Sequence, residues 1–281
     1  MFIECAGVGR RSAWLSARLQ RRALGFVHSK FQSSLNISFA GELLHVGSAR
    51  QPLCCFGVAL VEAQLRQLLA SCAPGDIVVC KDGALVFYGR ENILRISLVR
   101  LQEAQLRIPR YTQDARLAAG EVYFQLARTD HLSRIGLTAD GDLKEAVRLL
   151  LRADAPRAYA PSLRFFIGRG RGLTPAGDDI LLGYGAALTV CGQEAPFAAA
   201  LREALAAAQT TDVSLAYYRA LLAGHANEDF VRLAAILQEN DPSEAGRRIE
   251  AVRWLGHTSG SDTLFGFYLG LQKTSGEDIE K

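Results

Sequence analysis

The chain has 281 residues, 49% of them hydrophobic, which is enough for a substantial core and for one large domain or two small ones. The net charge of +3 and the scattered basic residues give no reason to expect a nucleic-acid binder, and no apolar stretch is long enough to cross a bilayer: the longest, Ile180 to Cys191, is broken by Gly183 and Gly185. The start, Met1-Phe2-Ile3-Glu4, lacks the basic and apolar pattern of a signal peptide.

In chain order, the densest basic cluster is Arg10, Arg11, Arg18, Arg21 and Arg22. It reads as the solvated face of an N-terminal segment, because no aromatics interleave with it. Ser34 to Ala40 alternates Leu35, Ile37 and Phe39 on one face. Gly41-Glu42 then turns into Leu43 to Val46, a hairpin pattern. Val61 to Ser71 has helical spacing, stopped by Pro74-Gly75. Ile77 to Cys80 and Ala84 to Tyr88 flank Lys81-Asp82-Gly83, the clearest hairpin in the chain, and Ile93 to Val99 can add a strand. The six cysteines include no C-x-x-C pair and read as reduced, buried thiols.

From about residue 112, alanine and leucine recur at helical period: Ala118 to Arg128, Leu143 to Arg152, Pro196 to Ala208, Val213 to Ala223, Phe230 to Gln238 and Glu244 to Trp254. Asp140-Gly141 marks a turn, with Asp142 the expected N-cap of the helix behind it. The expected class is α+β, with a β-rich part over 1–111 and a helical part over 112–281. A soft joint is expected near Gln102 to Gln113, with a shared core left open because no low-complexity linker divides the parts.

The residues that can carry chemistry lie in a repeated element, G-x-T-x-x-x-D-x-[IL]-[LF]. It occurs as Gly172-Leu173-Thr174-Pro175-Ala176-Gly177-Asp178-Asp179-Ile180-Leu181 and as Gly256-His257-Thr258-Ser259-Gly260-Ser261-Asp262-Thr263-Leu264-Phe265. Each copy runs from small residues into an apolar helical segment, which presents backbone N–H groups at a helix start and suits an anion. Together they suggest a composite pocket with one wall from each. The first copy is preceded by Gly168-Arg169-Gly170-Arg171, in which Arg169 and Arg171 offer planar donors to phosphate or carboxylate. No Gly-Lys-Ser/Thr follows, so this is not a Walker A loop, and the glycine spacing is not a dinucleotide fingerprint. A glycine-rich connector with exposed arginines fits the pattern equally well.

Asp178, Asp179 and Asp262 can cap helices, bind Mg²⁺ with waters retained, or orient Arg169, Arg171 or His257; capping is the plainest reading. His257, inside the second loop, is the histidine placed to move a proton, while His28, His45, His131 and His225 carry no motif. Ser259 and Ser261 lack a nucleophile elbow and read as N-caps. Thr210-Thr211-Asp212-Val213-Ser214 enters another helix, with Thr211 a cap and Ser214 a candidate third wall. The candidate set is therefore His257, Asp178, Asp179 and Asp262 for catalysis. For anion binding it is Arg169, Arg171, Gly172, Thr174, Gly177, Ser214, Thr258, Ser259 and Gly260.

The motifs G-R-G-R-G-L-T-P-A-G-D-D (168–179), T-T-D-V-S (210–214) and L-G-H-T-S-G-S-D-T-L-F-G-F (255–267) resemble the family of the AllH-type subunit of oxamate carbamoyltransferase, over roughly residues 160 to 272. The resemblance implies a cytosolic bacterial protein of anaerobic allantoin breakdown. It further implies a complex with AllG-type and FdrA-type subunits that converts oxalurate and phosphate into oxamate and carbamoyl phosphate. Three readings stay open: a subunit whose pocket takes part in carbamoyl transfer, a non-catalytic anion-binding or assembly subunit, and a related carbamoyl or acyl transfer on another substrate.

Overall fold

The computed structural model describes residues 2–5, 7–16, 23–111, 116–207 and 209–275; Arg18, Arg21 and Arg22 of the expected basic face, and residues 112 and 113 of the expected joint, lie outside them. The chain divides into two units, Met1–Leu106 and Arg107–Lys281. The fold is α+β: a mixed curled sheet, then helices.

The first unit contains β1 (Phe2–Cys5), β2 (Gly9–Ser12), the short α1 (Ala13–Ser16), β3 (Ala23–Lys30), β4 (Leu35–Phe39), β5 (Glu42–Ser48), β6 (Gly57–Leu60), α2 (Glu62–Ser71), β7 (Ile77–Lys81), β8 (Ala84–Tyr88), β9 (Ile93–Ser97) and β10 (Gln102–Ala104). Their order in the sheet is β1-β9-β8-β7-β3-β4-β5-β6-β2-β10. Eight strand spacings separate β1 from β2, about 38 Å in a flat sheet. Only residues 6–8 join them, a link that reaches at most about 14 Å. The sheet therefore has to curl. Its core gathers Val27, Leu35, Ile37, Leu44, Val46, Val58, Leu60, Leu65 and Leu68, with α2 packed on β5.

The two expected hairpins form. Asp82 and Gly83 both have positive φ, 51° and 65°, as a two-residue turn matching strand twist needs. In the other hairpin the turn residues are Ala40 and Gly41, and Glu42 already belongs to β5. Cys54, Cys55, Cys72 and Cys80 are buried thiols outside any disulfide, and Cys191 is a half-buried one.

The second unit contains α3 (Arg116–Ala127), α4 (Gly141–Arg152), α5 (Pro156–Phe166), α6 (Ala176–Val190), α7 (Ala195–Leu205), α8 (Asp212–Leu222), α9 (Glu228–Glu239), a 3₁₀ turn (Pro242–Glu244), α10 (Ala245–Arg253) and α11 (Ser259–Ser275). Helix α5 was not expected; Pro156 sits in its first turn and Pro161 inside it. The N-cap of α4 is Asp140, which accepts from Leu143 N at 2.9 Å, and not Asp142, which lies two residues further on, inside the first turn. Asp140 precedes the first residue with helical geometry, so its side chain is the one that can reach back over the open amides.

Helices α6 and α11 form the closest-packed pair in this unit. A Cβ at Gly183 would lie 1.9 Å from Thr263 O, and one at Gly266 would lie 1.9 Å from Ile180 O. Glycine at these two points lets backbone meet backbone. The contacts advance together along both helices, with Ile180 beside Gly266 and Ala187 beside Gly270. The helices thus run in the same direction and bring their N-termini to one end. Tyr184 of α6 and Phe267 of α11 share a core with Tyr159, Phe166, Phe197, Tyr218 and Phe230.

Candidate anion site at two helix starts

The parallel packing of α6 and α11 brings together the two loops that resemble each other in sequence. Thr174 Oγ1 and Ser259 Oγ lie 3.0 Å apart across 85 residues of chain. They stand at the base of a cavity of about 710 Å³, within the range of small-ligand pockets. Arg169, Gly170, Arg171, Gly172, Leu173, Thr174 and Ala176 line one side, and His257, Thr258 and Ser259 the other. A further wall comes from Gly136, Leu137, Thr138 and Asp140, between α3 and α4. No motif marks that stretch in the sequence.

Gly168, Gly170 and Gly172 have φ of 72°, 122° and 96°, so the alternating glycines are what allow the first loop its winding path. Arg169 is anchored on Phe165 and not on an aspartate. Its Nε donates to Phe165 O at 2.8 Å, and its Cζ lies 4.0 Å from the centre of the Phe165 ring. Arg171 and His257 are exposed at the cavity wall.

The three aspartates differ. Asp178 is fully buried and accepts from Gly168 N at 2.9 Å, from Tyr218 OH at 2.8 Å and from Thr210 Oγ1. It ties the first loop to the start of α8. Thr211 adds a second tie, donating to Leu173 O while it caps α8 by accepting from Ser214 N at 3.0 Å. Asp262 occupies in the second copy the place of Asp178 in the first. Its Oδ1 accepts from Gly136 N at 2.8 Å, which fixes the further wall to α11, and its Oδ2 is buried without a partner. Burial pushes its carboxyl up to about 6, against the opposing pull of the Gly136 amide and the Thr258 hydroxyl.

Asp179 lies between these two. Burial drives its carboxyl well above the usual range. The Ser259 and Thr174 hydroxyls hold it back, and the negative charge of Asp262 and Asp178 adds to the rise. Its Oδ2 has no partner, and Ser214 Oγ in α8 is likewise buried without one. Three of these orphaned polar atoms thus sit at the starts of α6, α8 and α11, the helices that meet the loops. Such atoms cost about 1–3 kcal/mol each unless something pairs with them.

Asp178, Asp179, Asp262 and Ser214 lie behind the cavity wall and not on its surface. Among the described residues no group of three or more His, Cys, Asp or Glu is arranged to hold a metal ion. Ser259 is the first residue of α11 and Ser261 lies within it. Thr258 precedes them, with its carbonyl accepting from Asp262 N at 2.9 Å, so neither serine is the N-cap. Gly177 and Gly260 lie in the first turns of α6 and α11. Their amides are taken by Arg169 O at 2.8 Å and Leu255 O at 2.9 Å. These two close the loops onto the helices instead of opening toward the cavity.

No helix is long and apolar enough to cross a membrane among the described residues. A family model described as oxamate carbamoyltransferase subunit AllH matches residues 166–271, and a second, described as the AllH family N-terminal domain, matches residues 8–106. Together they cover most of the chain. No solved structure matches it.

Proposed function

The chain belongs to the AllH family, whose name is that of an oxamate carbamoyltransferase subunit, and from that premise we propose that the cavity at the two helix starts takes part in carbamoyl transfer. The reaction is attack of phosphate on the carbamoyl carbon of oxalurate, giving carbamoyl phosphate and oxamate. It belongs to allantoin breakdown in the cytosol, with AllG-type and FdrA-type subunits as partners. The observation that carries this reading is the meeting of the two loops at Thr174 and Ser259, under a cavity walled by Arg169, Arg171 and His257.

The substrates are anions, and the attack develops a further negative charge on the carbamoyl oxygen. Arg171 and the outer nitrogens of Arg169 clamp phosphate and the oxalurate carboxylate. The stacking of Arg169 on Phe165 fixes its fork before the substrate arrives. Leu173, Thr174, Ala176 and Ser259 line the cavity, and on this reading their amides serve the developing oxyanion, each worth about 3 kcal/mol by the measure of known oxyanion holes. His257 delivers a proton to the departing nitrogen of oxamate. Asp179 and Asp262 act from behind, orienting the hydroxyls of Thr174, Ser259 and Thr258.

A second reading has one observation in its favour. The aspartates do not reach the cavity surface, which leaves His257 and Asp140 as its titratable side chains besides the arginines, and Asp140 is occupied as a helix cap. On this reading the chain binds an anion and its partner subunits supply the remaining chemistry.

The test is thermal stabilisation of the purified chain by phosphate, carbamoyl phosphate, oxamate and oxalurate, with and without Mg²⁺. A ligand at 100 times its dissociation constant adds about 2.7 kcal/mol. Stabilisation lost in Arg171→Ala and His257→Ala assigns the ligand to the loops. Stabilisation that both variants retain removes them from the site. Absence of any shift points to a site that forms only with its partner subunits and moves the assay to the reconstituted complex.

A further inference from the structure

A second cavity, of about 370 Å³, lies at the opposite ends of two helices that start at the candidate site. Helix α6 begins beside Thr174 and reaches this cavity with Gly185 and Thr189. Helix α8 begins at Thr211 and reaches it with Leu221 and Leu222. From Asp178 to Thr189 is about 16 Å of helix. The two cavities are therefore separate but joined by two rigid elements.

Arginines dominate the polar part of its lining. The segment Arg107 to Tyr111 crosses the ends of both helices as a strap. Ile108 N donates to Gly224 O at 2.8 Å, Tyr111 N donates to Val190 O at 2.7 Å, and Arg107 forms a β-bridge with His225. These bonds hold the backbone of Arg107 and Arg110 over the cavity. From the other side comes α7, whose Ala195, Ala198 and Arg202 fall on one helical face. The alanines leave the space and Arg202 closes its end. Among the described residues the one carboxylate in the lining, Glu194, is bound to Arg110 at 2.5 Å. Arg107 and Arg202, both exposed, line the same small concave space as excess positive charge. The last carbonyls of α8, which would repel an anion, are covered: Arg219 O, Ala220 O and Leu221 O accept from Ala223, His225 and Gly224 amides.

We infer that this cavity is a second anion site, which binds a phosphoryl group between Arg107 and Arg202 and is linked to the loops through α6 and α8. The planar guanidinium fork suits phosphate oxygens, and the volume admits a free oxyanion or the phosphate end of a nucleotide. This inference does not depend on the carbamoyl-transfer reading.

The experiment uses the full chain carrying Arg169→Ala and Arg171→Ala, which disables the loops, and measures binding of inorganic phosphate, pyrophosphate and AMP by calorimetry. Binding of at least one of these is expected to persist. It should weaken at least tenfold when Arg107→Ala and Arg202→Ala are added. Because the strap variants can disturb folding, Ala198→Glu provides a second route: glutamate is a good helix former and places a carboxylate in the lining, and should weaken binding equally. Tighter binding of AMP than of phosphate, lost in the same variants, identifies a nucleotide as the source of the phosphoryl group. Hydrogen exchange over residues 172–177 should slow on binding. Absence of binding in the loop-disabled chain overturns the inference, as does binding that Ala198→Glu and the arginine variants leave unchanged.

Discussion

Replacing Asp262 with asparagine should make the protein more stable at pH 8 and slightly less stable near pH 4, where only the cost of the new amide remains. Asp262 is fully buried, one oxygen holds the Gly136 amide at 2.8 Å, and the other has no partner. Asparagine keeps the acceptor for Gly136 and removes the buried charge. The carboxyl rises on folding from 3.8 to about 6. Below pH 3.8 it is protonated folded or unfolded and costs nothing. Between 3.8 and 6 the folded chain holds the proton more tightly, so stability falls as pH rises, and above 6 the full penalty applies. A shift of about two units corresponds to a ceiling of about 3 kcal/mol, before solvent screening. The new amide group must find an acceptor, at a cost of about 1 kcal/mol or more, with the Thr258 hydroxyl the nearest candidate. A net gain of about 1–2 kcal/mol raises the melting temperature by about 2–8 °C for a unit of this size. Melting curves of both proteins at one-unit steps from pH 4 to 8 should diverge through pH 5 and 6 and then run parallel. A difference that is flat with pH, or that favours aspartate at pH 8, would refute the account of Asp262 as a buried charge.

Gly183→Ala and Gly266→Ala should each cost at least about 3 kcal/mol and lower the melting temperature steeply, because the added carbon falls 1.9 Å from a facing carbonyl oxygen that belongs to the other helix. Tyr218→Phe leaves Asp178 with one donor fewer and should cost about 1.5–3 kcal/mol in denaturant unfolding, with faster hydrogen exchange at Gly168. Phe165→Ala removes the platform under Arg169. It should weaken phosphate-induced stabilisation while the melting temperature of the unliganded chain changes by less than in Tyr218→Phe; equal loss in both would show that Phe165 serves packing alone.

The parts legible in the sequence are those written in side-chain periodicity or glycine. The hairpin at Asp82-Gly83 and the helices around Leu143 to Arg152 and Val213 to Ala223 stand close to their expected bounds, because apolar spacing and turn residues agree there. Helix α5 falls outside the expected helices, and its sequence carries two prolines, Pro156 and Pro161. Yet Tyr159, Ser162, Leu163 and Phe166 are all buried at helical spacing, and that pattern was available. The strands β1, β2 and β10 are too short for a two-residue period to show, and β2 is half arginine. In β3, Leu24 and Phe26 face outward, which blurs the alternation. At the site, the repeated motif gave both loops, but Gly136 contributes a backbone amide, and an amide leaves no trace in residue type. The caps fall at Asp140 and not Asp142, and at Thr258 and not Ser259, since a cap depends on the backbone angle at one residue and neighbouring polar residues look alike in sequence.

Two helices that run in the same direction cannot be joined by a short turn. The chain leaves the far end of α6 and must return the whole length before α11 begins, and it does so through α7, α8, α9 and α10. Thr174 and Ser259 therefore meet only after most of the second unit has found its place, since loop closure over such a span rewards the chain late. The site is then among the last features to assemble during folding. Its occupancy would serve as a reporter of completed folding, and a chain released before α11 was synthesised would have a first loop with no counterpart.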